Sequence, residues 1–132
     1  MMAVAAQAAD APAAWLGIWV IDRDMGAAPV SALDASQVKA LIGTRLRLGG
    51  DATAPGGAPC RSPDYQETHE STAAFAAAFR VDPAAMGIAG DPIDQLHVAC
   101  ADAAFDLVAL GSGQAILITD GHVFHATQQG GL

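Results

Sequence analysis

Tyr65, Glu67 and His69 are the polar side chains whose types and spacing best suit chemistry. Residues two apart on a β-strand share a face, so a strand over residues 60–69 would bring a phenol, a carboxylate and an imidazole within reach of one another. Such a set can move a proton or contribute to a metal site. Solvent-facing residues of an edge strand carry the same signature, and Pro63, which cannot donate to a ladder, assigns the stretch to an edge or an irregular turn. The three residues are therefore candidates for binding, and no residue is given a catalytic role.

The remaining candidates fall away on spacing. His122 and His125 lie three apart, which suits a helix, whereas on a strand they point to opposite faces. Without a third ligand nearby, no metal is expected there. Gly111-Ser112-Gly113 lacks the Gly-x-Ser-x-Gly spacing and strand-to-helix context of a nucleophile elbow, and reads as a turn. No phosphate loop, dinucleotide fingerprint or HExxH motif occurs, so no cofactor is expected. The two cysteines, Cys60 and Cys100, form no CxxC arrangement and suit a structural disulfide. Closing a loop of that length stabilises a fold by about 4 kcal/mol in the chain-entropy model.

The elements that must position these groups follow from hydrophobic period and turn residues. Residues 15–22 are apolar and β-branched, with Trp15, Gly17 and Trp19 on one face, and predict a first strand followed by a Gly- and Pro-containing loop. Asp34, with Gln37 three residues on, resembles a capping box that opens a helix through Val38, Leu41 and Ile42 and stops at Gly43. Arg45 and Arg47 alternate with Leu46 and Leu48 in a second strand whose arginines face solvent. A loop rich in Gly, Ala and Pro covers residues 49–59. Ser71 caps a short helix carrying Phe75 and Phe79, and Asp82-Pro83 begins another turn.

From Gln95 onward, alternating runs separated by Ala-Asp, Gly-Ser-Gly and Asp120-Gly121 turns predict a meander, the Asp-Gly pair being suited to the positive φ angles of a type I′ turn. The fold expected is mainly antiparallel β, with about seven strands and one to three short helices, curled into a partial or closed small barrel. An open α+β sheet with a helix on one face is the alternative.

With 132 residues, 52% of them hydrophobic, the chain can bury one core, and residues 15–132 are expected to form a single globular domain. A formal charge of −8 opposes phosphate backbones and anionic headgroups, which excludes nucleic acid and leaves a basic protein as a partner. The acids are spread from Asp10 to Asp120 without a run, the pattern of a solvated surface. Residues 1–14 carry no Lys or Arg and are too short to span a bilayer. Ala6-Gln7-Ala8 fits a signal-peptidase site, so this stretch is read as the disordered remnant of an export signal, and the location as periplasmic.

Gly17-Ile18-Trp19 resembles the Gly-x-Trp of lipocalins and related calycin-like barrels, which implies that Trp19 closes one end of a barrel. Val98-Ala99-Cys100 through Phe105-Asp106-Leu107, then Ala115-Ile116-Leu117 and Asp120-Gly121, resembles the opening hairpins of periplasmic C-type lysozyme inhibitors, which are small disulfide-bearing barrels. Over its length, with Trp19, the helix closing at Gly43, Cys60 with Pro63 and Tyr65, and the Cys100 hairpins, the chain resembles a group of small, uncharacterised exported proteins from proteobacteria. That resemblance implies a periplasmic location and two paired cysteines.

The function expected is that of a non-enzymatic periplasmic binding protein acting through its surface on a basic partner such as a lysozyme. A carrier of a small apolar ligand in a barrel cavity is the alternative, and an enzyme of unknown type the third. A core poor in aromatics and rich in Ala is expected to collapse to native density, leaving any partner to the outside, through residues 49–59 or the acidic turns.

Overall fold

The β-branched stretch after Trp15 forms strand β1 (Gly17–Ala27) in the computed structural model, which describes residues 12–27, 32–88, 90 and 92–129. Trp15 itself is not part of the strand. It closes a single 3-10 turn (Ala13–Trp15) in which its N–H donates to the Pro12 carbonyl, and Gly17, at φ 123°, reorients the chain into β1. The strand also runs past Asp22, where a loop was expected, because two β-bulges let it follow its neighbour to Ala27. Residues 1–11, most of the expected export remnant, lie outside the described residues.

Helix α1 (Ala35–Leu41) carries the expected capping box, with Asp34 accepting from the Gln37 N–H and the Gln37 side chain accepting from the Asp34 N–H. Strand β2 (Arg45–Leu48) follows, with both arginines exposed and both leucines buried. The stretch expected as a loop over residues 49–59 is instead a small flap: β3 (Ala52–Thr53) pairs with β4 (Pro59–Cys60), and Ala52 and Ala54 are buried. Alanines read as loop filler here are small enough to pack where larger side chains would not fit.

Strand β5 (Asp64–Glu70) starts four residues later than expected, since Ser62, at φ 52°, and Pro63 separate it from Cys60. Helix α2 (Thr72–Phe79) is capped by Ser71, whose side chain accepts from the Ala74 N–H, and a 3-10 turn (Ala84–Met86) follows the Asp82-Pro83 pair. The meander comprises β6 (Ile93–Ala99), β7 (Ala104–Gly111), β8 (Gln114–Thr119) and β9 (His122–Gln128). Asp120 and Gly121, at φ 50° and 77°, make the expected turn between the last two strands.

Seven strands form one antiparallel sheet in the order β2-β1-β9-β8-β7-β6-β5, curled into a half-barrel. Leu46 and Leu48 of β2 join one buried cluster with Leu96 and Val98 of β6, and Tyr65 of β5 packs against it. Side chains from both sheet edges can meet only on the concave face, so this cluster, centred on Trp19, Leu117 and Phe124, fills the inside of the half-barrel. A second cluster, in which Phe75 of α2 packs with Val108, Ile116 and Val123, covers the convex face. Strand β8 is therefore buried on both sides, and its continuous apolar run reflects that.

The Cys60–Cys100 disulfide ties the flap to the end of β6, across 40 residues of chain. In urea denaturation, replacing both cysteines by alanine is expected to lower stability by about 2–5 kcal/mol. An unchanged midpoint would show that the flap is held by packing alone.

Candidate functional site

The three sequence candidates share the inner face. β5 pairs with β6 so that Tyr65 lies opposite Val98, Glu67 opposite Leu96 and His69 opposite Asp94. Their side chains nevertheless go to three different partners. The Tyr65 hydroxyl donates to the Gly49 carbonyl at 2.7 Å and accepts from the Gly49 N–H at 3.0 Å, which makes it a staple between β5 and the flap. Glu67 Oε2 accepts from Trp15 Nε1 at 3.0 Å, and His69 Nδ1 meets Asp94 Oδ1 at 2.6 Å. Phenol, acid and imidazole are on one face without converging on a common point.

Glu67 and Asp94 instead join a cleft at one end of the half-barrel. Trp15 and Trp19, with ring centroids 5.8 Å apart, form its apolar wall; Trp19 Nε1 donates to the Trp15 carbonyl at 3.0 Å. The β7–β8 turn, residues 111–114, forms the opposite lip, and Ala14, Ala109 and Gln128 complete the lining. The cleft has a volume of about 200 Å³ and its lining contains two carboxylates and no Lys or Arg. Trp15 was legible as an apolar residue, but its 3-10 turn, which aims the indole N–H at Glu67, was not.

All four histidines pair with aspartates. Besides His69, His97 Nδ1 meets Asp106 Oδ1 at 2.8 Å, His122 Nε2 meets Asp24 Oδ1 at 2.6 Å, and His125 Nδ1 meets Asp22 Oδ1 at 2.7 Å. His122 and His125 lie on opposite faces of β9, as the strand period requires: the His122 ring packs on Phe124, while His125 sits on the convex side. Among the described residues no three His, Cys, Asp or Glu gather as a metal site.

Asp22 is the hub of the most connected of these pairs. Its Oδ2 accepts from the Thr127 hydroxyl at 2.6 Å, and His125 Nε2 in turn lies 3.4 Å from Gln114 Oε1. Burial pushes the Asp22 carboxyl up, but the hydrogen bonds from Thr127 and His125 and the charges of His125 and Arg23 outweigh it and hold the group below the usual range. Asp24 is also held low, first by the Gly26 N–H and then by His122. Arg23 and Gly26 are local to β1, but Thr127, His125 and His122 are not visible as partners in the sequence, because each requires knowing that β1 lies beside β9.

Comparison of the chain with protein-family models, curated proteins and solved structures finds no match. The site is therefore read from its own geometry.

The Asp22 network makes a signed prediction. A carboxyl held low in the folded state stabilises the fold in full above its ordinary value of 3.8, and that contribution is lost as pH falls through the lower folded value. Asp22→Asn is expected to cost about 1 kcal/mol at neutral pH, reduced from a fully buried charged pair by solvent screening. In urea titrations the gap between wild type and variant should close on acidification below 3.8; a gap that widens there would contradict this role.

Proposed function

We propose that the protein is a periplasmic, non-enzymatic binding protein that acts through its surface on a basic partner such as a lysozyme. The observation that carries it is the segregation of charge across the sheet. At one edge, β5 bears Asp64, Glu67 and Glu70 with no Lys or Arg, and exposed Asp94 stands beside it on β6. At the other edge, β2 bears exposed Arg45 and Arg47. Acids dispersed along the chain are gathered by folding at one edge of the sheet, where a cationic surface would be steered and oriented.

The filled interior supports a surface partner over an enclosed ligand. Ile21, Leu46, Leu48, Leu96, Leu107, Leu117 and Phe124 are all fully buried on the concave side. A carrier remains the second reading on one observation, a cleft of about 470 Å³ beside α1 that includes Leu33, Val38 and Ile42 in its lining. The disulfide is compatible with export.

Biolayer interferometry against a basic lysozyme and an acidic protein of similar size tests the proposal. Binding is expected to the lysozyme only, to weaken steeply with added salt, and to fall by roughly tenfold or more in a variant with Asp64, Glu67, Glu70 and Asp94 all changed to their amides. Absence of binding at low salt, or an affinity that ignores both salt and the substitutions, would reject it. Saturable uptake of fatty acids at the α1 cleft would favour the carrier.

A further inference from the structure

We propose that the cleft walled by Trp15 and Trp19 is a site for one guanidinium group, presented as an arginine side chain by the partner. The proposal deepens the preceding one and rests on it for the identity of the protein that carries the arginine.

Size comes first. At about 200 Å³ the cleft is smaller than the roughly 300–1,000 Å³ of pockets for drug-sized ligands, and it suits a single long side chain. The indoles, only 2% and 3% exposed, offer the methylene stem a narrow apolar strip, and their rings favour a cation over a neutral group.

The carboxylates then select guanidinium over ammonium. Each has one oxygen engaged, Glu67 Oε2 by the Trp15 indole and Asp94 Oδ1 by His69. Glu67 Oε1 and Asp94 Oδ2 have no hydrogen bond among the described residues. Because Glu67 faces Leu96 and Asp94 faces His69, the two acids are diagonal neighbours on adjacent strands, about 7 Å apart along the diagonal. A planar group with several N–H donors in a fixed fork can meet both free oxygens at once, while an ammonium is a compact point charge that satisfies them less well. The ionisable groups lining the cleft are these two acids, with His69 beside Asp94; the Ala13–Trp15 turn and residues 111–114 contribute none.

The test uses blocked amino acids as probes: N-acetyl-arginine methylamide, its lysine counterpart and, as a neutral control, the norleucine counterpart. The chain has two tryptophans, both in the cleft wall, so indole fluorescence and the Trp15 Nε1–H signal in a proton–nitrogen spectrum report directly on occupancy. Saturable arginine binding is expected, with a dissociation constant on the order of millimolar, several-fold tighter than lysine, and no response to norleucine. Glu67→Gln keeps an oxygen for the Trp15 N–H and Asp94→Asn keeps one for His69, so the double variant should retain its fold and lose about tenfold in arginine affinity.

Equal binding of all three probes, shifts remote from Trp15, or undiminished affinity in the folded double variant would overturn the site. If lysozyme binds and free arginine derivatives do not, the site fails while the surface reading stands. If the arginine probe binds and no basic protein does, the site stands and its assignment to a protein partner fails.

Discussion

The pairing of β1 with β9 is the constraint on which the rest of the structure depends. It joins segments about a hundred residues apart, and it falls in the interior of the sheet, so without it the β1–β2 pair is detached from the meander. Two bulges interrupt the ladder, between Ile21 and Arg23 and between Asp24 and Gly26. Bulges bend a strand and increase its twist, and two in succession turn a flat sheet toward a barrel. At these irregularities an aspartate reaches across to β9, Asp22 to His125 and Thr127, Asp24 to His122. A one-residue slip would break both sets of bonds and turn Trp19 and Ile21 away from the core, so register is set by polar and apolar groups together.

A half-barrel leaves a gap between β2 and β5, and the chain closes much of it without adding a strand to the main sheet. The flap attaches on both sides: the Arg47 N–H donates to Thr53 Oγ1, and Tyr65 holds Gly49 through both of its backbone groups. The disulfide fixes the far end of the flap, and α1 adds Val38, Leu41 and Ile42 to the same concave cluster. Trp15 and Trp19 close one end, where Glu67 takes up the one polar atom of the Trp15 side chain. The cleft is what this closure leaves open. Its indole side is anchored in the core it covers.

Local chemistry was legible in advance and long-range order was not. Asp34 with Gln37, Ser71 before the Phe75 helix, the Arg-Leu alternation of β2 and the Asp120-Gly121 turn each depend on residues within a few positions, and each took the form its chemistry favours. The flap was missed because Ala52 and Ala54 carry no pattern that separates a packed small residue from a loop. Tyr65, Glu67 and His69 were correctly set on one face by their period of two. Their actual partners, Gly49, Trp15 and Asp94, come from three separate segments that only the strand order brings together. The same holds for the four His–Asp pairs, whose members are spread across five strands and are joined by cross-strand register.

Charge illustrates how strand order creates a property that composition does not contain. Along the sequence the acids are dilute, yet β5 and the start of β6 concentrate them at a free edge, where like charges repel and the edge resists pairing with another sheet. Deterring aggregation would be served by charges of either sign on the solvent side of the strand. Glu67 and Asp94 face inward, beside indoles, and each is steadied by a single donor from the protein. An inward acid at the mouth of an apolar cleft gains little as a solubilising group, since part of its hydration is displaced by the wall it lies against. Trp15, Trp19 and Leu96 seal the concave cluster beneath them, and Glu67 serves that packing through one oxygen, which takes the Trp15 indole N–H. Each acid thus has one oxygen engaged inside the protein, and a cation from outside, as proposed for the cleft, is the group that would complete the hydrogen bonding of the other.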